Sequence, residues 1–175
     1  MTARRALALA VAVPATMAAI ASPAMATPKA GEQTFPKTFP LASALCARVS
    51  AGTENRRLKA HAAAVTADCT VLQSTFSAAQ VTVLSARTTI EPQITAARLT
   101  TATACPKPQH QPVACRMTRN AEDQVIKVLH RQLRTATRHY YEAIEKARAL
   151  FWSEIRAFPG EHRIHADPPV IIQPS

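Results

Sequence analysis

Two apolar runs flank a cysteine-bracketed, proline-rich stretch, CPKPQHQPVAC, and this arrangement leaves the chain few ways to fold. The first run is Val65, Cys69, Leu72, Phe76, Ala79, Val83, Ala86 and Ile90, resuming at Ile94 and Ala97 after a slip in phase. The second is Leu129, Leu133, Ala136, Tyr140, Ala143, Ala147 and Leu150. In both runs spacings of four and three alternate, which puts the side chains on one stripe of a helix, as in a coiled-coil seam. Three glycines in 175 residues supply too little turn chemistry for a sheet domain. The expected fold is therefore all-α, an antiparallel long-helix hairpin of coiled-coil character.

Local signals set the expected helix bounds. Asn120 reads as an N-cap, with Glu122 and Asp123 in the positive first turn, and Phe158-Pro159-Gly160 reads as the stop. A helix between them would be about 57 Å long at 1.5 Å per residue. The slip in the first run falls at Pro92, which lacks an N–H and crowds the preceding turn, so a kink is expected there, a full break being the alternative.

The four cysteines, Cys46, Cys69, Cys105 and Cys115, read as two disulfides of an exported protein. On one unbroken helix Cys69 and Cys105 would lie about 54 Å apart, which rules out their pairing and that of Cys69 with Cys115. Cys105 then pairs with Cys115 across the tip, and Cys46 with Cys69. The second bridge implies a short third helix, within Leu41 to Val49, folded onto the base of the hairpin. Such a helix would help to cover Tyr141 and Trp152, which fall off the second seam.

The ends of the chain read differently from its middle. Arg4 and Arg5, the apolar run Ala6 to Ala21 and the triplet Ala24-Met25-Ala26 have the order of a secretory signal peptide over residues 1–26, an uncleaved anchor being the alternative. Residues 27–40, TPKAGEQTFPKTFP, read as a Pro-rich extended linker, and residues 159–175 as a flexible Pro-rich tail in which Val170-Ile171-Ile172 could dock. The helical hairpin domain is expected over 41–158. No transmembrane segment is expected in the mature chain, so the protein is expected to be secreted or extracytoplasmic, in the cell envelope.

Charge carries the strongest functional signal. Without Arg4 and Arg5, 19 basic residues face 11 acidic ones, a net charge near +8. Lys127, Arg131, Arg134 and Arg138 recur at spacings of four, three and four, each two residues from a seam position and so about 200° around the helix from it. They form a solvent-facing stripe about 16 Å long with no acidic residue between its ends. Such a stripe is either a solvated coiled-coil face or a contact for a polyanion: a wall polymer, an anionic lipid surface or nucleic acid.

Other chemistry is thin. No G-x-S-x-G, phosphate-cradling glycine loop or H-E-x-x-H occurs, and the cysteines are accounted for as bridges, so no enzyme is expected. His130 and His139 lack the E-x-x-H pattern of helix-bundle metal sites. His162 and His165 have metal-compatible spacing without further ligands, and neither a metal nor a cofactor is expected. Glu142 and Glu145 lie beside Lys146 and Arg148 and read as surface ion pairs. YEAIE, Tyr141 to Glu145, resembles the Y-x-x-x-[DE] element of helical-hairpin substrates of type VII secretion; the W-x-G turn of that family is missing, and the leader indicates another export route.

The expected function is that of an exported helical binding or structural protein, contacting polyanions through the basic stripe. One alternative is an extracytoplasmic chaperone or adaptor for protein partners, which would use the charge-poor first helix through Val71, Val81 and Leu84. The same surface could bury itself in a homodimer. A haem or small-molecule carrier built on His139, Tyr140 and Tyr141 is the other.

Overall fold

The computed structural model describes residues 29–105, 113–159 and 164–170. Five helices follow in order: α1 (Phe35–Thr38), α2 (Pro40–Ser50), α3 (Arg56–Lys59), α4 (Ala62–Ala104) and α5 (Val113–Ala157). No strand occurs among the described residues. The long helices α4 and α5 pack against each other as the two arms of the hairpin, and α2 and α3 pack on α4. Both disulfides join the expected partners, Cys46 with Cys69 at a Cα separation of 5.8 Å and Cys105 with Cys115 at 5.6 Å. The leader, residues 1–26, lies outside the described residues.

The seam of α4 is the one its sequence spells out. Val65, Cys69, Leu72, Phe76, Val83, Ile90, Ile94 and Ala97 are buried, with Ala79 and Ala86 half-buried between them. Pro92 does not break the helix, since α4 runs through it and Ile90 and Ile94 are buried on either side. A proline removes one intrahelical hydrogen bond, whereas a break would take the second half of the seam out of register with α5.

The bounds and the seam of α5 need correction. The helix begins at Val113 and passes through Asn120, so Asn120 is not its N-cap. Nothing between Val113 and Asn120 opposes a helix, and Cys115 extends the buried side toward the tip. From Leu129 to Tyr140 the seam is as expected. Beyond that the buried residues are Ile144, Phe151, Trp152 and Ile155, while Ala143 and Ala147 are half-buried and Leu150 is 52% exposed. A straight helix of 3.6 residues per turn drifts by about 20° per heptad from a 3.5-residue repeat, so the buried stripe moves round the helix. Other elements cover a wider sector of α5 at this end, which brings in Trp152.

Those elements include segments expected to be loose. Within the supposed linker, Phe35–Thr38 is helical, Phe39 is fully buried and Ala30 is 6% exposed. The rings of Phe35, Phe39 and Phe76 meet edge to face with centroids 5.6 to 5.9 Å apart, an arrangement that adds to the area they bury. Gln80 Nε2 donates to the carbonyls of Gly31 and Gln33 at 2.6 and 3.1 Å. Gly31 has φ +86°, and a Cβ there would stand 2.6 Å from Val83 Cγ1, so only glycine lets this strand of chain lie on α4.

The tail is likewise packed over residues 164–170. Asp167 is 1% exposed, and its carboxylate accepts from the backbone N–H groups of Leu41 and Ala42 at 2.7 and 3.0 Å. It caps the start of α2, whose own N-cap residue, Phe39, has no side-chain oxygen to offer. Arg148 donates to the Asp167 carbonyl at 2.7 Å and to Glu145, and Glu145 accepts from the Val170 N–H at 3.0 Å. The Arg148 hydrogen bond holds the Glu145 carboxyl below its usual range. The Glu145–Arg148 pair, read as surface decoration, is thus the grip on the C-terminal segment.

Candidate polyanion-binding face

On α5 the side turned to α4 is marked by Cys115, Ile126, Leu129 and Leu133, all buried or half-buried. Each residue advances about 100° around the helix, which carries Lys127, Arg131, Arg134 and Arg138 away from that side. All four are exposed. Arg138 Nε lies 3.6 Å from Glu142 Oε1 in an exposed i,i+4 pair. Lys127, Arg131 and Arg134 form no ion pair with any described residue.

The charge is concentrated in one arm of one helix. Between Val113 and Arg138, α5 carries six basic and two acidic side chains. From His139 to Ala157 it carries three of each, Lys146, Arg148 and Arg156 against Glu142, Glu145 and Glu154. Uncompensated cations along one face raise the local concentration of anions, and a polyanion neutralised there releases its condensed counterions.

A row of apolar side chains that no sequence motif marks runs beside the stripe. Val113, Met117, Val125 and Val128 are 62%, 67%, 48% and 50% exposed. The signal was the four-residue spacing of Val113, Met117, Ala121 and Val125, which has meaning only once the helix is known to start at Val113.

A second feature lies at the opposite end. A groove of about 440 Å³ between α4 and α5 is lined by apolar side chains that include Val71, Leu72, Leu150 and Phe151, with Asp68, Lys146 and Glu154 at its polar positions. Burial raises the Asp68 pKa, and the neighbouring Glu154 charge raises it further. Val71, Val81 and Leu84 do not form one adaptor surface: Val71 lines this groove, Leu84 lines a different one with Arg87 and Pro92, and Val81 is 67% exposed.

The histidines and tyrosines stand in unlike surroundings. His139 is exposed, whereas Tyr140 is 3% exposed, with its ring 6.5 Å from Phe76 and 5.2 Å from Tyr141. His130 is half-buried and His165 exposed, and His162 lies outside the described residues. Among the described residues no three His, Cys, Asp or Glu side chains are grouped to hold a metal ion, and no helix is long and apolar enough to cross a membrane. Comparison with protein-family models, with curated proteins and with solved structures finds no match to this chain, so the reading of its faces rests on their own geometry and charge.

Proposed function

We propose that the chain is an exported, non-enzymatic helical protein of the cell envelope or extracellular space that binds a polyanion through Lys127, Arg131, Arg134 and Arg138. The observation that carries this reading is the exposure of all four, three of them without a carboxylate partner among the described residues. A solvated helix face commonly neutralises its cations with i,i+4 acids; here Arg138 pairs with Glu142, whereas Lys127, with Asp123 four residues before it, forms no ion pair with a described residue, and Arg131 and Arg134 have no acid at that spacing. The leader-like N-terminus and two disulfides are compatible with an oxidising compartment.

Replacing the four residues by glutamine tests the reading. Helicity and melting are expected to hold, because exposed charges contribute little to stability. Binding to anionic polymers or vesicles is expected to be salt-sensitive in the wild type and lost in the variant. Binding that survives the four substitutions would assign the anion to another surface.

A second reading rests on the groove between Val71 and Phe151, which fits an adaptor that holds an apolar peptide segment. A Leu150→Glu variant that keeps polyanion binding and loses a protein partner would favour it.

A further inference from the structure

We infer that the polyanion is the surface of an anionic lipid bilayer, on which the tip half of α5 lies flat with its basic stripe at the headgroups and Val113, Met117, Val125 and Val128 in the interface. This rests on the polyanion reading of the stripe and narrows its partner. At 100° per residue the four apolar residues fall within about 120° of the helix, on the flank of the solvent-facing side next to the stripe. Ala121, Gln124, Gln132 and Thr135 share that sector, and none of them is charged. Both flanks face away from α4, where Leu129 and Ile126 are packed. The outer side of α5 is therefore amphipathic in its own right, apolar along one edge and cationic along the other.

That combination selects among polyanions. A wall polymer or a nucleic-acid backbone satisfies the cations and leaves four half-exposed apolar side chains in water. Single-stranded nucleic acid would want stacking platforms, and no Phe, Tyr or Trp occurs between Val113 and His139. A second copy of the chain would set the same cationic surplus against this one, which is repulsive. An anionic membrane surface accepts both edges at once, phosphate groups taking the cations and the acyl boundary taking the valines and methionine. The hairpin keeps the face preformed, because Leu129, Ile90 and Ile94 hold the inner side of α5 to α4 whether or not lipid is bound.

The test uses the oxidised mature chain, vesicles of phosphatidylcholine with and without phosphatidylglycerol, and soluble polyphosphate as a polyanion with no apolar phase. The wild type is expected to bind phosphatidylglycerol vesicles and to bind phosphatidylcholine alone weakly. Neutralising each stripe cation should weaken vesicle binding about fivefold. A variant carrying Val113→Ser, Met117→Ser, Val125→Ser and Val128→Ser should lose at least about tenfold in vesicle affinity and keep its polyphosphate affinity within about twofold. As a second readout that needs no multiple variant, Met117→Trp should be quenched by brominated acyl chains on vesicle binding. Trp152, at 2% exposed, gives a constant background.

Polyphosphate binding without vesicle binding would overturn the lipid inference and leave the polyanion reading standing. Binding to neither would overturn both. Vesicle binding that is indifferent to the four serines, or a Met117→Trp signal untouched by brominated lipid, would also overturn the inference.

Discussion

The two ends of the hairpin are built from the same pair of helices and hold together by different means. At the base, α4 and α5 are joined by α1, α2, α3, the residues before α1 and the C-terminal segment around one core. All eight aromatic residues of the chain belong to this end, and Phe35, Phe39, Phe76 and Tyr140 meet ring against ring. Toward the tip the buried apolar cluster is made by the two helices alone, Ile90 and Ile94 against Leu129, with the Cys105–Cys115 bridge at the turn. The base buries its large side chains on several sides, whereas a two-helix layer can bury only one stripe of each partner. The tip's outer surface is thereby left free, and that is where the basic stripe and the exposed apolar row lie. Buried packing is concentrated at one end and exposed, unpaired positive charge at the other.

The contrast can be tested through stability, beginning with the core. Phe39→Ala removes a fully buried ring at the base and is expected to lower unfolding stability by about 4 kcal/mol, whereas Ile94→Ala at the tip is expected to lose about 2 kcal/mol. Urea denaturation of the two variants measures the difference. Equal losses would mean that the tip is as tightly knit as the base.

A smaller effect is expected at the C-terminal clasp. Asp167→Ala leaves the first N–H groups of α2 without their acceptor and should cost about 2 kcal/mol. Hydrogen exchange should report faster opening at Leu41 and Ala42 with the tip unchanged. A variant that leaves those two amides protected would mean that another group caps α2.

The smallest effect is a pH dependence. Glu145 titrates below its ordinary value because Arg148 hydrogen-bonds the ionised form. Its contribution is therefore present above the unfolded pKa of about 4.3 and lost as pH falls through the lower folded value. Glu145→Gln should reduce stability at pH 6 by under about 1 kcal/mol, because the pair is partly solvated, and should flatten the loss on acidification. A wild type and variant that share one acid-unfolding profile would remove Glu145 from the clasp.

Legibility in the sequence follows the range of the interaction. The α4 seam was readable because one helix, α5, covers most of its length, so the 4–3 spacing of Val65 to Ala97 maps directly onto burial. Both disulfides were readable because helix length alone excludes the alternative pairings. The basic stripe was readable as a periodicity, since Lys127 to Arg138 needs only the rise and turn of one helix. The outer apolar row was not, because the local N-cap signal at Asn120 starts a helix after Val113 and Met117, which α5 in fact includes. The α5 seam failed beyond Tyr140, where residues from the base decide which side of the helix is covered.

The sequence by itself determined the helical hairpin, its cysteine pairing and the cationic face of α5, because each follows from helical period and length. Only the tertiary structure decided that residues 29–40 and 164–170 belong to the fold. Asp167 finds its partners at Leu41 and Ala42 across more than a hundred residues, and Gly31 meets Val83 across half as many. Nothing in the local pattern of a proline-rich segment tells a free chain from one held down. What holds these segments is a distant hydrogen-bond acceptor and an aromatic core that exist only once α4 and α5 have come together.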